Sequence, residues 1–267
     1  MIRTQKDAKT LWHHFGSPLE LYEWTKRTPK DATAGDTSTQ RTMGESWDLG
    51  ASHADTVAMI TKGWEEGTRQ LRDLSRENFA PVAYHDVARS KLTAVQGGGR
   101  PVPALVSQGS PLCYQRMQMR PTQQRVIKLW ISVGARARVS AQTLMSRGVA
   151  ALAAIEAYEA KGIRVEVTAA TNAHDGSHRM LTTVRIKEAG ERLQKQRVAF
   201  PIAHPAFFRR MIFGVRERRG DAVARFSDYG VTPGDAPDEL PADATWIALN
   251  GETPRACYDE ICEELTK

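Results

Sequence analysis

One run constrains the fold of this 267-residue chain more than any other. Val126-Ile127-Lys128-Leu129-Trp130-Ile131-Ser132-Val133 is almost continuously apolar, and Gly134 ends it. A strand covered on both faces reads this way. Ser140 then opens a helix with Leu144, Met145, Gly148, Val149, Leu152 and Ile155 on one face, and Lys161-Gly162 closes it. Glycine suits the left-handed exit of a helix. Ile163, Val165 and Val167 alternate with Arg164, Glu166 and Thr168 as a second strand. Strand, crossover helix and strand form a βαβ unit, so the two strands should be parallel.

Further elements follow. Met180 to Lys187 alternates as a third strand. From Glu191 the pattern is helical but meets Pro201 and Pro205, each of which should kink or end a helix. Phe207, Phe208, Met211, Ile212 and Val215 mark a second helical piece. Thr245 to Leu249 reads as a last strand. Thr253 and Pro254 start a final helix with Ile261, Cys262 and Leu265 inward. The expected class is a three-layer α/β domain around a mostly parallel sheet.

The first hundred residues read as a helical N-terminal region with a polar linker. Ser17-Pro18-Leu19-Glu20 is a capping-box start. Residues 28–44 are polar and loop-like. Ser52 opens a second helix, with Val57, Ile60, Trp64, Leu71 and Leu74 at helical spacing. Gly97-Gly98-Gly99-Arg100-Pro101 is the sharpest break, so residues 1–100 and 101–267 are the expected domains. Pro103 to Val106 reads as a short strand.

The order of elements from Val126 resembles the back half of a von Willebrand factor A-like, Rossmann-like domain. The run Met145-Ser146-Arg147-Gly148-Val149-Ala150-Ala151-Leu152, continuing to Lys161-Gly162-Ile163-Arg164-Val165-Glu166, resembles an uncharacterised protein family of tailed phages. Gly63-Trp64-Glu65-Glu66-Gly67 resembles that family too. The resemblance implies a phage or prophage origin and no established activity. Von Willebrand-type domains usually hold a divalent metal with Asp-x-Ser-x-Ser just after the first strand. Here that place reads Ser132-Val133-Gly134-Ala135-Arg136-Ala137-Arg138. A hard cation needs oxygen ligands, so the core is read as degenerate, with no metal and no cofactor. Arg136 and Arg138 are instead candidates for an anion.

Charge is uneven. Residues 116–219 carry 20 Lys and Arg against 7 Asp and Glu, whereas residues 220–267 carry 3 against 11. Arg192, Lys195, Arg197, Arg209 and Arg210, beside Phe200, Phe207 and Phe208, form a candidate nucleic-acid face. An acidic tail folded over that face would neutralise it.

Other polar groups carry less. His174-Asp175-Gly176-Ser177-His178 holds metal-capable side chains, but Asp-Gly between strands marks a hairpin turn. The three cysteines lack metal or disulfide spacing and read as buried thiols. No apolar run spans a bilayer and no signal-peptide core opens the chain, so a cytoplasmic protein is expected. Two functions follow. The leading one is a non-enzymatic interaction or assembly module with a protein partner or a second copy. The alternative is a nucleic-acid-binding protein of phage DNA metabolism. A hydrolase or transferase would hold its site at the strand ends near Gly134 or Thr171.

Overall fold

A computed structural model describes residues 3–6, 10–32, 36–39, 44–78, 88–93, 100–119, 126–136, 139–175, 178–218, 235–251 and 253–266. The main sheet contains β1 (Arg3–Lys6), β2 (Thr10–Phe15), β6 (Val126–Ser132), β7 (Arg164–Asp175), β8 (His178–Lys187) and β9 (Ala244–Ile247). Their order is β1-β2-β8-β7-β6-β9. The β2/β8, β7/β6 and β6/β9 pairs are parallel, and β1/β2 and β8/β7 are antiparallel. A smaller antiparallel sheet, ordered β3-β5-β4, holds β3 (Ala88–Thr93), β4 (Arg100–Pro101) and β5 (Tyr114–Met119). The helices are α1 (Pro18–Arg27), α2 (Glu45–Asp48), α3 (His53–Lys62), α4 (Glu65–Asn78), α5 (Pro103–Ser107), α6 (Ala141–Ala160), α7 (Lys195–Ala203), α8 (Phe213–Arg216) and α9 (Pro254–Thr266). A π-helical turn, Phe207–Ile212, leads into α8.

The βαβ unit forms as its sequence dictates. Ser140 accepts from the Thr143 amide at 3.1 Å to start α6, and β6 and β7 pair in parallel. The hydrophobic pattern assigns the two faces of the sheet. Ile127, Leu129, Ile131, Val165, Val167 and Ala169 share one cluster with the apolar residues of α1, α3, α4, α6, α7 and α9. Trp130, Ala170 and Leu181 lie on the other face with Trp12, Leu240 and Trp246. Successive strand residues point to opposite faces, which separates the two clusters.

The N-terminal region departs from its expected helical character. Thr10–Phe15 is a strand, and it runs parallel to β8 inside the main sheet. The sheet therefore crosses the break at Gly97–Gly99. The cause is an alternation of Leu11, His13 and Phe15 toward the core that a histidine disguises. Pro103–Ser107 is a helix rather than a strand, with Pro103 at its first turn, where proline lacks nothing. The break between the two C-terminal helical pieces falls at His204, just before Pro205, because the residue before proline disfavours the helical region. Pro201 lies inside α7.

The pairing of β7 with β8 is irregular at one point. Val167 pairs with Lys187 and Thr168 with Arg185, which leaves Ile186 as a bulge on β8. The bulge turns Lys187 to the helical face. There its ammonium is buried, 2.6 Å from Glu159 of α6 and 2.9 Å from the Val165 carbonyl.

Candidate interaction cleft

A cleft of about 500 Å³ opens at the carboxyl ends of β2 and β8. Four pieces of chain frame it: the start of α1, the last turn of α3, the end of β8 with the turn after it, and α7. The α1 start is built locally. Ser17 accepts from the Glu20 amide at 3.1 Å, and Glu20 accepts from the Gly16 amide at 2.7 Å. The return bond of the expected capping box goes instead to Gly16, one residue before the Ser17 cap, and it still occupies the helix start with the chain's own carboxylate.

The cleft lining mixes charge with apolar surface. Leu19, Met59, Ile60 and Ile186 give the apolar part, and Leu19 is 48% exposed. Arg185, Arg192 and Arg197 give the positive part. Arg185 is held by Glu188 at 2.7 Å, and Glu191 accepts from the Glu188 amide at 3.0 Å. Arg192 and Arg197 are exposed and take no ion pair among the described residues.

The expected site residues therefore divide. Arg192 and Arg197 come together in the cleft. Lys195, beside them in sequence, is held by Glu156 of α6. Arg136 is exposed in the loop after β6, and Arg138 lies outside the described residues.

Arg209 and Arg210 correct the expectation of an open basic face, since both are buried, at 1% and 2% exposure. The π-helical turn carries them inward with Phe207, Phe208, Met211 and Ile212. Arg210 donates to Asp48 at 2.7 Å. Arg209 donates to the Trp47 carbonyl and, at 2.6 Å, to the Val139 carbonyl, and its guanidinium stacks 4.0 Å above the Trp47 ring. Burial lowers its pKa to about 10, against the pull of Asp48. A second buried knot lies on the same helical segment. Glu217 accepts from the Ser38 amide at 2.8 Å and from its hydroxyl, and Lys30 sits 3.2 Å away.

These contacts bear on the strand ends near Gly134 and Thr171. Open α/β sheets usually bind ligands outside the carboxyl ends of their parallel strands. Here Arg209 ties α2 to Val139 in the loop that follows β6. Thr171 is fully buried, in register with Thr182, which is in register with His13. The hydroxyls of Thr171 and Thr182 have no hydrogen-bond partner among the described residues. Burial depresses the pKa of His13 to about 4.

The acidic C-terminal segment meets part of the basic surface. Asp243 pairs with Lys128 at 2.5 Å, and Asp238 pairs with Arg179. Residues 219–234 lie outside the described set. Asp175 and His178 are register partners where β7 and β8 meet, as a hairpin there requires. Among the described residues no three His, Cys, Asp or Glu side chains converge as a metal site would need. Cys113 and Cys257 are buried, and burial pushes the Cys257 thiol up to about 11. No described helix is long and apolar enough to cross a membrane.

The cleft was only half legible in the sequence. Arg192 and Arg197 stood in the basic stretch, but Leu19, Met59 and Arg185 join them only through the pairing of β2 with β8. No curated protein and no solved structure matches the chain. A family model does, over residues 3–266, and the chain belongs to that family, described as a domain of unknown function (DUF7192).

Proposed function

We propose that this protein is a non-enzymatic interaction module that seats an acidic, partly apolar segment of a partner protein in the cleft between α1, α3, β8 and α7. The single observation that carries the reading is the pairing of exposed Arg192 and Arg197 with the apolar surface of Leu19, Met59 and Ile60. An apolar floor gives affinity through burial, and arginines at the rim fix orientation and select negative charge.

One feature favours a peptide over a nucleic acid in this cleft. Among the described residues no exposed aromatic ring lines it for base stacking, since Phe200 is 1% exposed. The same proposal includes the von Willebrand A-like assignment of residues 126–267. From β8 to β9 the strands run third, second, first, fourth in the order in which that half of the chain makes them; that order alone matches a doubly wound sheet, since β8 runs antiparallel to β7 and the helices gather on one face. A tailed-phage source fits an assembly role for such a module.

The test is a peptide-display selection on the intact protein, counter-screened on Arg192→Glu/Arg197→Glu. The expected result is enrichment of peptides combining Asp or Glu with Leu, Ile or Phe that the variant does not retain. Enrichment of peptides retained equally by the variant, or no enrichment, would overturn the reading.

A further inference from the structure

A second surface is built differently. The strands β3 and β4 pair with β5, and among the described residues neither these strands nor α5 makes an extended contact with the main sheet or its helices. Together they form an arm. β3 and β5 pair over six residues each, so the ribbon is about 20 Å long at about 3.4 Å per residue.

The charge of this arm is one-sided. No Asp or Glu occurs anywhere between Asp86 and Glu156. Within the arm stand Arg89, Lys91, Arg100 and Arg116. The register places Lys91 directly across from Arg116. Like charges on facing strand positions destabilise a ribbon. The sequence of the arm holds no Asp or Glu.

The end of the arm is neutral and open. No charged residue lies from Pro101 to Gln115. Pro101, Pro103, Val106, Pro111 and Leu112 are exposed there, with Val106 at 48% and Leu112 at 49%. Arg100 is exposed at its base.

We infer that this arm is a DNA-contacting element, whose basic ribbon follows the phosphates of a duplex while the Pro, Val and Leu tip wedges into the minor groove. Ribbons of two strands fit the grooves of duplex DNA. Minor-groove proteins combine Arg, Lys and Gln contacts with apolar wedges of Pro, Leu or Met. The arm has this combination, with exposed Gln108 at the tip. A lipid surface fits less well. Its binding elements rely on bulky apolar and aromatic side chains, and the tip has no Trp, Tyr or Phe between Pro101 and Cys113. This surface is separate from the cleft, and it does not use the arginines expected from the sequence to form a nucleic-acid face.

Fluorescence anisotropy of the intact protein with a labelled A·T-rich duplex tests the inference, titrated at several salt concentrations. Four arm-to-phosphate contacts would weaken binding about 150-fold between about 50 mM and about 200 mM salt. The variant Lys91→Ala/Arg100→Ala/Arg116→Ala should bind more weakly at low salt and lose only about 3.5-fold over the same range. Leu112→Ser should reduce the bend of a doubly labelled duplex without changing the salt slope. Arg69→Ala, at an exposed position of α4, is the surface control and should match the parent. Thermal melting of each variant checks that the main body is intact. No binding to duplex at low salt, an unchanged slope in the triple variant, or an unchanged bend with Leu112→Ser would overturn the inference. Binding to phosphatidylserine vesicles but not to DNA would overturn it as well.

Discussion

Arg210 donates to Asp48 at 2.7 Å, and both side chains are shut off from solvent, at 2% and 1% exposure. The pair joins the short helix α2 to the π-helical turn 162 residues later. Removing one member of such a buried pair strands the other charge in the interior. Asp48→Ala should therefore cost about 3–5 kcal/mol of stability in urea denaturation. The double variant Asp48→Ala/Arg210→Met should cost less than Asp48→Ala alone, because it leaves no uncompensated charge. A loss under about 1 kcal/mol for Asp48→Ala would show that water reaches the pair.

Close helix packing makes a second prediction. A Cβ added at Gly148 of α6 would fall 2.2 Å from the Ala203 Cβ and 2.3 Å from its Cα. That contact is with backbone as well as side chain, so no rotamer change relieves it. Gly148→Ala should destabilise the protein by about 1–3 kcal/mol or more, against the usual gain of alanine over glycine in a helix. Differential scanning calorimetry reads this as a lower Tm. An unchanged or higher Tm would mean that α6 and α7 separate freely.

Acid should loosen the core through two histidines. Burial lowers the pKa of both His13 and His204 to about 4. His204 packs edge-on to Trp64 at 4.6 Å, and its Nδ1 accepts from the Ala206 amide at 3.1 Å. The unfolded chain binds protons at these rings from about pH 6.5 downward, whereas the folded chain does so only near pH 4. Stability is therefore fully present above about pH 6.5 and falls as pH drops through that window, by about 3 kcal/mol per histidine at the acid end. Urea midpoints at pH 7, pH 5.5 and pH 4 check the slope. His204→Gln should flatten it; a slope unchanged by that substitution would assign the acid sensitivity elsewhere.

The legible parts of the fold were those whose pattern is local. Val126–Ser132, the Ser140 cap and the alternation from Met180 declare strand, helix and strand within a few residues each. Thr10–Phe15 did not declare itself. Its inward positions are Leu11, His13 and Phe15, and its partner β8 is almost 170 residues away. The arginines misled for a related reason. Arg209 and Arg210 add to any count of positive charge, yet they are buried together with Phe207, Phe208, Met211 and Ile212, which flank them in sequence. A helical stretch with no polar flank is buried all round, and that was the available signal.

The most direct test of the cleft is a charge-reversal cycle read by titration calorimetry, using one acidic, apolar peptide from the display selection. The parent protein should bind it. Arg192→Glu/Arg197→Glu should weaken binding by more than about 100-fold, because like charges would then face each other across the contact. Exchanging the peptide's acidic residues for Lys should restore binding to that variant and abolish binding to the parent. Equal affinity of parent and variant for the acidic peptide, or no rescue by the lysine peptide, would contradict the account.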